Sequence, residues 1–244
     1  MTRRRWIADE VVGDKAALVG SHAEHLARVL RAEVGKEFDI VAGDAVRLGR
    51  ITSVSDDRVE FALGSELAAR PSTNLTLALA IFKFDRMEWA IEKCTEIGVA
   101  RIVPLVARRT DAHLASAAVK RRERWQRIAR QAAEQSRRAS ALEIASPIKL
   151  KDLGGAGLSP PVGAEATSTH IVLAETEGNS RLRDVLPSHQ PEVVLAVGPE
   201  GGWTDDELRW FRQSGWTTAS LGDTILRAET AAIVATALAL DVLR

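Results

Sequence analysis

Two short segments near the carboxyl end of the chain carry the residues best suited to chemistry. The first, Gly198-Pro199-Glu200-Gly201-Gly202, follows the apolar run EVVLAV and leads into an acidic, threonine-led stretch. Gly198-Pro199 turns the chain, and Gly201-Gly202 lets backbone approach a ligand without interference from a Cβ. The segment is not a phosphate cradle. It lacks the Gly-Lys-Ser/Thr of a P-loop and the G-x-G-x-x-G spacing, and Glu200 with the acidic helical turn after it disfavours an anion. A backbone-rich, acidic loop suits a neutral or cationic ligand, although these residues alone fit a plain turn equally well. In the second segment, SLGDTILRAET at 220–230, a strand ends at Leu221-Gly222. Residues 223–227 cross to a helix starting near Ala228, with Arg227, Glu229 and Thr230 at its mouth.

The elements that must position these residues follow from periodicity. Apolar runs at 75–82, 102–106, 171–174, 193–197 and 218–221 read as strands buried on both faces, and helical patterns at 85–97, 118–138, 205–214 and 228–243 alternate with them. That alternation predicts a parallel α/β sheet. Both segments then lie at the carboxyl ends of strands, where such sheets bind ligands. Thr204 and Glu207 have the spacing of a capping box for the helix at 205. The last helix is apolar almost all round, which predicts burial on most sides and contact with a second subunit.

Residues 1 to about 70 have a different rhythm. Phe38 and Ile40, Val46 and Leu48, then Val59, Phe61 and Leu63 alternate along short runs, with turns at Gly43-Asp44 and Asp56-Asp57. This predicts antiparallel strands in a small barrel or curled sheet. Ser21 and Glu24 have the spacing of a capping box for one intervening helix. The polar stretch AARPSTN at 68–74 reads as the junction, and the Gly/Pro/Ala/Ser-rich 154–168 as a loose surface connection.

Composition narrows the class. The 244 residues carry no formal net charge and are 45% hydrophobic, as in an ordinary globular chain. No run approaches the roughly 20 apolar residues of a membrane span, and no apolar signal core follows the basic start; a cytoplasmic protein is expected. The single cysteine, Cys94, excludes an internal disulfide and a cysteine metal cluster, and its helical neighbours predict a buried thiol. Charge is uneven: from residue 160 onward six basic residues face twelve acidic ones, so the first 159 residues hold an excess of about six positive charges. A polyanion partner and a solvated arginine-rich helix face both fit that asymmetry.

GPEGGWTDDE followed about twenty residues later by LGDTILRAETAA resembles the paired C-terminal motifs of the RsmE family, SPOUT-superfamily methyltransferases that act on uridine N3 of 16S ribosomal RNA. The similarity also takes in HLARVLRAEVGKEFDIVAG, FKFDRMEWAIEKCTEIGVARIVPLVARRT and RWQRIARQAAEQSRR. It implies an α/β fold with a C-terminal trefoil-knotted, parallel-sheet domain at 71–244, knot and cofactor site at about 170–244. It also implies a small PUA-like, RNA-binding β-barrel domain at 1–70. By the same resemblance the protein binds S-adenosylmethionine, needs no metal, acts on 16S rRNA of the small subunit and works as a homodimer.

Position by position, the resemblance implies a cofactor site of three loops. They are Leu173, Ala174 and Glu175; Gly198, Pro199, Glu200, Gly201 and Gly202; and Leu221, Gly222, Ile225, Leu226 and Arg227, followed by Glu229 and Thr230. Arg227 would stabilise negative charge on the uracil, with Glu229 or Glu200 accepting the proton or positioning the loop. RNA contacts would come from Arg3, Arg4, Arg5, Arg28, Arg31, Arg121, Arg122, Arg137 and Arg138, with Trp6 or Trp125 either stacking on a base or packed in a core. The chain departs from the family where a glycine often follows EQS, here Arg137-Arg138, and at Leu142 in place of a proline; a different loop path is expected there. A ribose 2′-O methyltransferase of the same superfamily and a non-catalytic RNA-binding assembly protein are the rival readings.

Overall fold

The computed structural model describes residues 5–43, 45–67, 74–138, 140, 142–158, 160, 168–187 and 192–243. They fall into two compact units, Met1–Ser72 with Ala133–Ala141, and Thr73–Ala132 with Leu142–Arg244. The expected junction at 68–73 lies outside the described residues.

In the first unit the period-two runs form a six-stranded sheet. Its strands are β1 (Arg5–Ile7), β2 (Glu10–Val12), β3 (Lys15–Val19), β4 (Glu37–Ala42), β5 (Ala45–Val54) and β6 (Arg58–Leu67). The order is β1-β4-β5-β6-β3-β2, antiparallel except for β1 beside β4. Ala8 N–H donates to the Val41 carbonyl and Asp9 N–H to the Ala17 carbonyl, so consecutive residues bond opposite halves of the sheet and it curls. Trp6, Leu18, Leu26, Ile40, Ile51 and Phe61 fill the inside.

One expectation fails in this unit. The helix begins as α1 (Ser21–Glu24) with Gly20 at its N-cap and no side-chain cap, then continues as a π-helical turn over His25–Val29. Glu24 does not reach back to close a box; its carboxylate takes Arg28 one turn on, at 3.0 Å. At Arg137 the backbone has φ +57, the left-handed conformation that glycine adopts most easily.

The second unit is built on parallel strands: β7 (Asn74–Ala80), β8 (Arg101–Val106), β9 (Glu143–Ile144), β10 (Ile148–Lys149), β11 (Ser168–Leu173), β12 (Glu192–Val197) and β13 (Thr217–Ala219). Their order is β10-β8-β7-β12-β11-β13, with β9 also on β8. The helices are α2 (Phe84–Ile97), α3 (Ala112–Gln135), α4 (Leu182–Val185), α5 (Asp205–Gln213) and α6 (Ala228–Val242). Side chains alternate between two cores, as a strand requires. Leu75, Leu77, Leu79, Leu195 and Val197 pack with α2, α3 and α6, whereas Ala78, Ala80, Val194 and Ala196 pack with α5 through Leu208 and Phe211. Helix α3 starts six residues earlier than its apolar pattern, because Asp111 caps it: its carboxylate accepts the His113 and Leu114 N–H groups at 2.7 and 3.3 Å. Within the 154–168 stretch a 3-10 turn at Gly154–Ala156 sits between buried Leu153 and Leu158, and residues 159 and 161–167 lie outside the described residues.

Candidate active site

The carboxyl ends of β11, β12 and β13 and the start of α6 enclose a cavity of about 530 Å³, within the usual range for small-molecule sites. Leu173, Ala174 and Glu175 line it from the first loop; Gly198, Pro199, Glu200 and Gly202 from the second; Leu221, Gly222, Ile225, Leu226 and Arg227 from the third. Gly201, Glu229 and Thr230 do not line it. Lys83, Arg86, Thr176 and Trp203 do, and motif reading missed them.

The turn at 198–203 is set by its own packing. Gly202 N–H donates to the Pro199 carbonyl at 2.8 Å. Beneath the turn lies Trp203, whose indole N–H donates to the Leu173 carbonyl at 3.0 Å. A Cβ on Gly198 would stand 3.1 Å from that indole nitrogen. Gly202 has φ +70, and its Cβ would meet a Glu175 carboxylate oxygen at 3.2 Å. Gly198 is thus packed closely on the Trp203 indole, and Gly202 holds a left-handed backbone that favours glycine, both independently of a ligand.

From outside, Arg109 straps the turn, donating to the Gly201 carbonyl at 2.6 Å and the Trp203 carbonyl at 3.4 Å. Thr204 and Glu207 form the expected capping box at the start of α5. Glu207 also accepts the Arg108 N–H at 2.6 Å, so one buried carboxylate ties the β8–α3 loop to the cavity wall.

The third loop is held mainly at its ends. Ser220 N–H donates to the Ser180 carbonyl and Leu182 N–H to the Ser220 carbonyl, both at 2.8 Å. Arg181 holds both oxygens of Asp223, at 2.9 and 3.1 Å, but both side chains face solvent. Ile225 is 81% exposed. Arg227 caps α6 through its backbone, and its exposed guanidinium makes no ion pair or hydrogen bond with the described residues.

The glutamates are placed differently. Glu200 takes Arg86 at 2.7 Å, and Glu229, its side chain 6% exposed, lies 3.8 Å from the same guanidinium. Two groups that burial shifts strongly stand away from the cavity lining. Burial pushes the Cys94 thiol up to about 12, and burial pushes His170, edge-on to Trp216, down to about 4.

The described residues among the proposed RNA-contacting arginines are divided between the two units. Arg3 and Arg4 lie outside the described residues. Arg5 faces Asp39 and donates to the Arg137 carbonyl, and Arg28 is shared by Glu24 and Asp56. Arg31 (φ +48) and Arg137 are exposed, whereas Arg138 is partly buried. In the second unit Arg121 lies over the Phe84 ring beside Glu88, and Arg122 donates to the Ile144 carbonyl. Trp6 and Trp125 are 4% and 0% exposed, which removes the base-stacking option for both.

Known proteins share this architecture. The family model described as an RNA methyltransferase domain matches residues 69–240, covering all three cavity loops. A ribosomal RNA small subunit methyltransferase E from Synechocystis is 32% identical over 94% of this chain and 74% of its own. The crystal structure of the enzyme of that name from Neisseria gonorrhoeae, bound to S-adenosyl methionine, superposes with a TM-score of 0.82 at 27% identity, covering 97% of this chain and 96% of its own. A putative methyltransferase from Legionella pneumophila, in complex with the same cofactor, gives 0.82 at 29% identity over 99% and 98%. The chain belongs to the ribosomal RNA small subunit methyltransferase E family.

Proposed function

We propose that this protein methylates N3 of a uridine in 16S ribosomal RNA of the small subunit, taking the methyl group from S-adenosylmethionine. The observation that carries the reading is the 530 Å³ cavity formed by the three strand-end loops. Its walls suit the donor: Leu173, Val197, Leu221, Ile225 and Leu226 offer apolar surface, while Glu175 and Glu200 are compatible with a cation.

The donor supplies a methyl group bonded to a positively charged sulfur, so no metal is called for in the transfer. Among the described residues no group of His, Cys, Asp and Glu is placed to hold one. N3 of neutral uracil carries a proton, and its lone pair is conjugated with the ring. Arg227, at the cavity wall and unpaired among the described residues, is the residue to stabilise negative charge on a uracil oxygen as that proton leaves. Loop walls that fix donor and base in line supply much of the remaining acceleration. N3 is on the pairing edge, so the base must be unpaired or extruded to react.

The finer assignments belong to the same proposal. The curled sheet of the first unit is read as a PUA-like RNA-binding domain, with exposed Arg31 and Arg137 among the phosphate contacts. The second unit is read as the methyltransferase domain. A trefoil knot in this domain is part of the same reading and rests on membership of the family. A homodimer is supported by the incompletely covered Val234, Ala237 and Leu238 on α6 and half-exposed Trp89 on α2. A cytoplasmic location follows from the substrate, and among the described residues no helix is long and apolar enough to cross a membrane.

The test is methylation of undermodified small subunits with labelled donor, followed by nuclease digestion and mass spectrometry. N3-methyluridine is the expected product. A ribose 2′-O-methyl product would overturn the reaction assignment, and cofactor binding with no RNA product would favour an assembly role.

A further inference from the structure

One guanidinium joins three elements around the cavity. Arg86 is the third residue of α2; its Nη1 lies 2.7 Å from Glu200 in the 198–203 turn, and its Nε lies 3.8 Å from Glu229 in the first turn of α6. The two carboxylates differ sharply in exposure. Glu200 is 36% exposed and Glu229 only 6%, with the second oxygen of Glu229 buried and lacking any hydrogen-bond partner among the described residues. Arg86 itself lines the cavity, whereas Glu229 does not.

The geometry points to Arg86 as the positioning residue of the methyl-donor site, with Glu200 and Glu229 as its two counter-ions and neither as the proton acceptor. This rests on the cofactor reading above. Glu229 is buried beside Arg86, off the cavity lining, so it does not present its carboxylate to a bound base. Glu200 spends an oxygen on Arg86, and that contact fixes the turn against α2. Two carboxylates around one guanidinium leave an excess negative charge, which favours a ligand bearing a cationic sulfur. Removing Arg86 leaves Glu229 buried without its counter-ion and frees the turn on its α2 side. The Arg109 strap and the Trp203 plug still stand, so the fold persists while the donor site loosens.

The experiment measures S-adenosylmethionine affinity by titration calorimetry and steady-state kinetics on small subunits, with thermal unfolding alongside. Arg86→Ala is expected to weaken cofactor binding by about tenfold or more, with the larger part of the kinetic loss in the cofactor KM. Arg86→Lys keeps the charge and is expected to recover part of that loss. Glu200→Gln is expected to weaken binding several-fold, and the double variant Arg86→Ala/Glu200→Gln to be no weaker than Arg86→Ala alone, because one contact is lost in each case. Glu229→Gln is expected to retain the wild-type shape of the pH–kcat profile. Wild-type affinity in Arg86→Ala, or additive losses in the double variant, would overturn the positioning role. Loss of a limb of the pH–kcat profile in Glu229→Gln would identify that residue as the base and overturn the counter-ion assignment. Should Arg86→Ala fail to fold, Arg86→Lys and Glu200→Gln decide the question by the same affinity readout. No cofactor binding by the wild-type protein would instead reject the cofactor site itself.

Discussion

The turn at 198–203 and the crossing at 220–227 line one cavity and are built in opposite ways. The turn is plugged from beneath by Trp203, strapped by Arg109 and held toward α2 by Arg86. The crossing is clipped at Ser220, and beyond that its side-chain restraint is an exposed ion pair; Ile225 stands in solvent at its centre. One wall of the site is finished before a ligand arrives. The other has few contacts of its own, the pattern of a segment of low local stability, and is expected to gain contacts from a ligand.

Substitutions in the two segments should therefore fail differently. The largest effect is expected at Arg227: Arg227→Ala should lower turnover by about 100- to 1,000-fold with little change in melting temperature, and near-normal turnover would reject its role. Gly198→Ala sets a Cβ against the Trp203 indole and should cost about 1–3 kcal/mol in denaturant unfolding; a neutral result would break the claim that this wall is prebuilt. Ile225→Ala should leave unfolding unchanged while weakening cofactor binding several-fold, by about 1 kcal/mol. Equal stability and affinity losses there would show the crossing to be structural after all. Asp223→Ala removes only the solvent-facing pair with Arg181 and should shift stability by less than about 0.5 kcal/mol.

Much of this arrangement was legible from local spacing. The parallel sheet followed from apolar runs alternating with helical patterns, and the Thr204–Glu207 cap from residues three apart. Ser21 and Glu24 have the same spacing and form no cap, because Gly20 takes the N-cap position and Glu24 is drawn to Arg28. Spacing proposes a cap, but competing charges decide whether it forms. Arg86 and Arg109 were invisible as site residues because their partners lie 114 and 92 positions away. Basic residues counted in sequence left a polyanion partner and a solvated helix face equally open; in space Arg5, Arg28 and Arg121 also pair with carboxylates of the protein itself, which a count along the chain does not show. The glycines of the turn suggested room for a ligand; Gly198 and Gly202 do line the cavity, and they also lie against Trp203 and Glu175, which the sequence did not show.

Cys94, the single thiol of the chain, lies fully buried on α2, with Thr236 of α6 at 3.5 Å from its sulfur. With its pKa pushed up to about 12, it is inert to alkylating reagents in the closed molecule, and labelling counts the openings of the α2–α6 contact. Those helices also carry Arg86 and Glu229. Methyl donor at 100 times its dissociation constant should slow labelling by about 100-fold if opening releases it. A single sulfur atom thus gives a stopwatch for occupancy of the site, readable with no RNA in the tube.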